Sequence, residues 1–160
     1  MPDPDRPDPD RLAIEAHAGA RIALIAESFR RVTGGDLAPP GGDVAESLWS
    51  AAAVIVAHAT EADPVFFYGN RAALDLFGMA GEEFIRLPSR FSAEPLAREE
   101  RARLLAQVAE KNFISDYAGV RIAKSGERFR IERATVWNLL AADGSIHGQA
   151  ACFAHWGALE

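Results

Sequence analysis

Cysteine is almost absent, Cys152 being the only one. A lone thiol forms no internal disulfide, so nothing in the chain requires an oxidising compartment. Cys152 sits among small and apolar residues in GQAACFAHW, the setting of a small buried hydrophobe rather than of a nucleophile. No apolar run approaches the roughly 20 residues that a membrane span needs. The opening MPDPDRPDPDR has neither the basic start nor the apolar stretch of a secretory signal. A soluble, cytoplasmic protein without membrane contact is expected. Basic excess is missing too: 17 Lys and Arg stand against 23 Asp and Glu, a formal net charge of -6. Because phosphate backbones are held by a cationic face, no direct nucleic-acid binding is expected.

Catalytic and metal signatures are equally scarce. The four histidines, His17, His58, His147 and His155, lack metal-ligand spacing, so no metal is expected. His58, in a run of strand-forming residues, fits a core histidine bonded to a carbonyl. AESLWSA has no flanking glycines of a nucleophile elbow, and no glycine-rich phosphate loop is present. The adjacent acids Glu82 and Glu83, and Glu99 and Glu100, fit solvated helix surface or partners of a helix dipole. No enzymatic activity is expected.

What is present is an ordinary globular balance, 49% hydrophobic over 160 residues, enough for one domain with an extension. Residues 1–10 are expected to be disordered, since proline and repelling aspartates bury nothing. Residues 11–36 predict one amphipathic helix with Asp10 as its cap and a stripe through Ala18, Ile22, Ile25, Phe29 and Val32. The glycines after Thr33 end it. Such a stripe must be covered, so Ile22, Ile25 and Phe29 are candidates either for a homodimer contact or for covering the chain's own domain.

LAPPGG (37–42) is a linker by composition, and the domain is expected over 43–157. A short helix capped by Asp43 is followed by AVIVAHAT and VFFYGN, which predict a hairpin over 53–70. Asn70 caps the next helix, which Gly78 ends. SAEPLAREERARLLAQVAEKN predicts a longer helix with Pro95 in its first turn and Leu104, Leu105 and Val108 facing the core. After Asn112 the period changes to two, and KSGE and ADGS divide three strands.

Two strands, several helices and a three-stranded meander form the element order of PAS-like folds. HATEADPVFFYGNRAALDLFG, EEFIRLPSRFSAEP and DYAGVRI…GERFRIERATVWNL…DGSIHGQAACF together resemble the MEKHLA domain, across roughly residues 15–156. That PAS-like module occurs in stand-alone bacterial proteins and at the C-terminus of plant class III homeodomain-leucine zipper transcription factors. The resemblance implies an α+β fold: a PAS-like five-stranded antiparallel sheet with helices packed on one face, plus the N-terminal helix. It also implies a sensory or regulatory role without an established ligand or reaction.

The same resemblance gives the long connection EEFIRLPSRFSAEP a role as one cavity wall. In the light-sensing, flavin-binding branch this position carries Asn-x-Cys-Arg-Phe. Here RLPSRF puts Ser89 where the thiol would stand, followed by Arg90 and Phe91. A hydroxyl lacks thiolate reactivity, so adduct photochemistry is not expected. The branch's ring-binding amides fall on Arg121, Ile131 and Phe153, which argues against flavin, while WNLL (137–140) is out of register. Haem is not expected either, because the long helix carries no histidine.

Strand alternation groups Tyr117, Gly119 and Arg121 with Arg133, Thr135, Trp137, Gln149, Ala151 and Phe153 on one face. Val120, Ile122, Ala134, Val136, Ala150, Cys152 and Ala154 fall on the other. If the first face is inner, Tyr117, Arg121, Thr135, Trp137, Gln149 and Phe153 line a pocket with His58, Tyr68 and Asn70 from the hairpin. Ser89, Arg90 and Phe91 would complete it, and a small polar or anionic ligand would suit it. A single bulge reverses the parity and leaves a solid core with Arg121 in solvent. The connection can equally be a structural clasp, with Ser92 capping a helix and Arg90 paired to Glu94. Two functions therefore stand: a sensory module that binds a small molecule or partner protein in signalling, and a structural homodimerisation domain with no cavity.

Overall fold

The computed structural model describes residues 8–94 and 98–159, without the side chains of Arg98 and Arg101. Most of the tail expected to be disordered, residues 1–7, lies outside the described residues, as does Pro95. The helix expected over 11–36 is two helices, α1 (Pro9–Ala18) and α2 (Arg21–Thr33). Gly19 separates them at φ 57°, a conformation open to glycine at little steric cost. Asp8, not Asp10, caps α1 by accepting from the Asp10 and Arg11 amides. Asp10 instead accepts from the Gly81 amide at 2.8 Å and pairs with Arg71 at 3.1 Å, tying α1 to the middle of the chain.

Local signals place the next elements as expected. Asp43 caps α3 (Val44–Ser50), which buries Leu48 and Trp49. Strands β1 (Val54–His58) and β2 (Phe66–Gly69) pair antiparallel. Asn70 caps α4 (Arg71–Phe77), and Gly78 ends it at φ 70°. Then come α5 (Gly81–Phe84), one 3-10 turn (Ser89–Ser92) and α6 (Arg98–Lys111). Of the α6 residues expected to face the core, Val108 is buried and Leu104 half-buried, whereas Leu105 is exposed. The meander is β3 (Phe113–Ile122), β4 (Arg128–Leu140) and β5 (Ile146–Phe153).

The sheet order is β2-β1-β5-β4-β3, so the two early strands join the meander through β1 beside β5. A sixth strand, β6 (His155–Ala158), runs beside β4, so the sheet has one strand more than expected. Gly148 is required where β5 crosses β1: at φ 152°, a Cβ there would lie 2.2 Å from the His58 carbonyl oxygen.

Cross-strand registers divide the two faces. Trp137, Ala150, Ala57 and Tyr68 form one row, and Thr135, Cys152 and Ile55 form another on the same outer face. On the inner face, Val136 aligns with Ala151, Val56 and Gly69, and Asn138 aligns with Gln149, His58 and Phe66. The expected alternation holds for Tyr117, Gly119 and Arg121 in β3 and for Gln149, Ala151 and Phe153 in β5 but fails in β4. Gly119 pairs with Ile131, yet Tyr117 pairs with Ala134, so β4 gains one residue there. Arg133 absorbs it at φ 55°, the geometry of a β-bulge. Past the bulge Val136 turns inward, and Thr135 and Trp137 turn outward. A second irregularity, between Ala57 and His58, sends Tyr68 outward while Phe66 stays inward.

Helix α2 covers the outer face. Ile25 is fully buried, and its carbonyl accepts from Trp137 Nε1 at 3.2 Å. Phe29 meets the Trp137 ring edge-on at 4.9 Å. Ser28 Oγ accepts from the Leu140 amide at 2.8 Å, and Arg31 donates to the Ala141 carbonyl at 2.8 Å. Within one copy of the chain, Ile22 and Ile25 are buried and Phe29 packs against the core, so of the two roles expected for them the structure describes the covering of the chain's own domain.

Candidate functional site

The connection after α5 is a strap across the inner face. At one end Ser89 donates its amide to the Pro64 carbonyl (2.8 Å), and Phe66 donates to Leu87 (3.1 Å), beside edge strand β2. At the other end Ala93 bridges Arg121, and the Glu94 amide donates to Val120 (3.0 Å) on the opposite edge strand, β3. The elaborate length is what reaching both edges requires. Beneath it, with α6, lies a cavity of about 320 Å³. Its floor is open where the inner row has only a methyl group, at Ala151; over neighbouring Gly69 the Phe84 ring fills the space, and a Cβ there would lie 2.5 Å from it.

Seven of the predicted residues line this cavity: His58, Ser89, Arg90, Tyr117, Arg121, Gln149 and Phe153. Five do not, each for a physical reason. Trp137 lies against α2 and Thr135 shares that outer face, both beyond the Arg133 bulge. Tyr68 lies on the outer face with a buried hydroxyl that has no hydrogen-bond partner among the described residues, and burial raises its phenol well above the ordinary range. Asn70 is fully buried as a structural hub between α3, β1 and α4. Phe91 is 55% exposed: three residues make one 3-10 turn, so Ser89 and Ser92 share the cavity side and Phe91 projects away. Arg90 stands at the rim with its guanidinium 4.0 Å from the Phe91 ring, paired to Asp63 (3.0 Å) rather than Glu94. Glu94 pairs with Arg128.

Sequence reasoning missed the apolar wall of Val56, Phe66, Phe77, Leu104 and Val136. Phe66 and Phe77 belong to an aromatic cluster around Phe84, with ring centroids 4.5 and 6.0 Å away. Strand alternation sets Val136 on the opposite face, and the buried-strand and helix patterns around Val56, Phe66, Phe77 and Leu104 do not separate core from cavity lining. Asn138, set aside as out of register, faces inward. Its amide bonds Asn112 Oδ1 at 3.2 Å at the end of α6, so it is committed to the fold.

The polar groups differ in how far they are satisfied. Burial holds the His58 imidazole below its ordinary pKa, the charge of Arg121 adds to this, and Nδ1 lies 2.9 Å from the Ala59 carbonyl. Among the described residues, the Arg121 guanidinium reaches only the Tyr117 hydroxyl, at 3.4 Å. Gln149 touches Asn138 Oδ1 at 3.5 Å. Cys152 is on the outer face, and burial pushes its thiol up to about 11, which keeps it a weak nucleophile.

The two strap serines should respond differently to substitution. Ser92 Oγ, 3% exposed, donates to the Ser89 carbonyl at 2.7 Å, whereas the Ser89 hydroxyl bonds no protein group among the described residues. Ser92→Ala is expected to cost about 1–2 kcal/mol, and Ser89→Ala under about 0.5 kcal/mol. Urea denaturation of both variants checks this. Equal losses would mean that the Ser89 hydroxyl fastens the strap instead of facing the cavity.

Comparison with known proteins agrees with this architecture. The MEKHLA domain profile matches residues 20–158. Homeobox-leucine zipper protein HOX32 of Oryza sativa subsp. japonica is 27% identical over 150 residues, 89% of this chain and 17% of that protein. ATHB-14 of Arabidopsis thaliana is 28% identical over 145 residues, 84% of this chain and again 17% of the relative. The chain therefore spans only 17% of the length of these relatives. Among solved structures, a PAS domain from Colwellia psychrerythraea superposes with TM-score 0.56 at 14% identity, covering 68% of this chain and 90% of that one. An RNA-binding light-oxygen-voltage receptor gives 0.59 at 19% identity, over 74% of this chain and 36% of the other. At such identities the structural likeness concerns the fold alone. With a PAS-like sheet, a strapped inner face and a family match across 20–158, the chain belongs to the MEKHLA domain family.

Proposed function

We propose that this chain is a non-catalytic sensory or regulatory module of the cytoplasm that takes a small molecule beneath the strap and passes its state to a partner protein. The observation that carries this reading is the cavity of about 320 Å³, bounded by apolar side chains with a few polar groups among them. That combination of size and lining is typical of small-molecule sites. Its relatives are homeobox-leucine zipper proteins, which fits a place in transcriptional control. The proposal includes no resident flavin or haem. By the sequence resemblance to the light-sensing branch, Ser89 falls where the adduct-forming thiol would stand, and Arg121, Ile131 and Phe153 fall where its ring-binding amides would.

Native mass spectrometry of the freshly purified chain, with a small-molecule thermal-shift screen, tests the proposal. Retained mass, or compounds that raise the melting temperature, is expected, and Ala151→Phe should abolish either by filling the floor. If no compound binds and no mass is retained, the domain is a solid interaction module instead. An ultraviolet-visible spectrum tests the cofactor statement, which a flavin or Soret band would overturn.

A further inference from the structure

We infer, on the reading that the cavity takes a small molecule, that its ligand is a small organic carboxylate, with its anionic end on Arg121 and its apolar body against Val56, Phe66, Phe77 and Val136. Four described arginines are half-buried: Arg11, Arg21, Arg71 and Arg121. Arg11 pairs with Glu15 and Glu46, and Arg71 with Asp8, Asp10 and Asp75. Arg21 donates to the Ala18 and His17 carbonyls. Arg121 has none of these acceptors among the described residues; its contact is the Tyr117 hydroxyl at 3.4 Å, with that ring 5.5 Å away. A partly desolvated guanidinium whose acceptor among the described residues is one long, neutral hydroxyl contact is costly, and an anion relieves the cost.

The surroundings sharpen the choice. No Asp or Glu is among the described residues that line the cavity, although acidic residues outnumber basic ones in the chain as a whole. The site is therefore locally positive on a negative protein. His58 adds no charge of its own, since burial favours its neutral form and Nδ1 is engaged by the Ala59 carbonyl. Arg90 is neutralised by Asp63. One free planar fork matches one carboxylate, with the Gln149 amide and Ser89 hydroxyl as neutral neighbours. A phosphate dianion would call for a second unpaired cation, and the described lining has none. The apolar wall fills the remaining space, so the acid carries an alkyl or aryl body.

Isothermal calorimetry on the full chain with phenylacetate and hexanoate, their primary amides, and phenyl phosphate tests this. Each acid is expected to bind at least tenfold more tightly than its amide and than phenyl phosphate. Arg121→Gln should erase the preference for acid over amide while melting close to the wild type, because no ion pair is lost. If the amides bind as tightly as the acids, or Arg121→Gln keeps the preference, the carboxylate assignment fails and the cavity reading survives. Tighter phenyl phosphate would also overturn it, moving the ligand to the phosphate class. If no probe binds either protein, the carboxylate assignment falls, and the cavity reading then rests on the screen and native mass described above.

Discussion

Trp137→Ala is expected to destabilise the fold by about 3–5 kcal/mol, the range for deleting a fully buried indole. The side chain is 0% exposed, meets Phe29 edge-on and donates to the Ile25 carbonyl across 3.2 Å. Removing it empties the seat of α2 and leaves that carbonyl without its side-chain donor. Trp137→Phe keeps most of the volume and loses the hydrogen bond, so about 1–2 kcal/mol is expected. Urea denaturation of both variants measures the difference. Should Trp137→Ala fall within about 1 kcal/mol of the wild type, α2 would not be seated on the sheet as described.

A second large loss is expected at Asn70. Its Oδ1 accepts from the amides of Ile55 and Ala73, each at 3.1 Å, and its Nδ2 donates to the carbonyls of Leu48 (3.0 Å) and Ala53 (2.9 Å). Every donor and acceptor of the amide is used, and the residue is 0% exposed. Asn70→Ala leaves two amides and two carbonyls without that partner. With buried unsatisfied groups costing about 1–3 kcal/mol each and not adding fully, a total of about 3–5 kcal/mol is expected. Asn70→Ser, able to restore only the helix cap, should fall between the two. An Asn70→Ala variant with wild-type stability would show that water replaces the amide and that the hub is not closed.

The two residues show what the sequence discloses and what it hides. Asn70 was legible as a helix cap because capping is local, an amide acting three residues ahead in NRAALDLFG. Its bonds to Leu48, Ala53 and Ile55 depend on how β1 meets α3, which no local pattern records. The hairpin and the two turns of the meander were legible for the same reason as the cap. Face assignment was not, because alternation assumes an unbroken strand. Arg133 at φ 55° interrupts β4, and arginine carries no signal for that conformation as glycine would. One residue was enough to move Thr135 and Trp137 to the far side and bring Val136 in. Gly19 misled in the opposite way: the apolar spacing continued across it although the helix did not.

The positions of Val136 and Trp137 have a mechanical consequence. Neighbours in one strand, they form the partition between the cavity and α2, Val136 in the cavity wall and Trp137 beneath the Ile25 carbonyl. No intervening layer cushions one compartment from the other. A guest that displaces this stretch of β4 must load the indole, and anything that lifts α2 must slacken the floor.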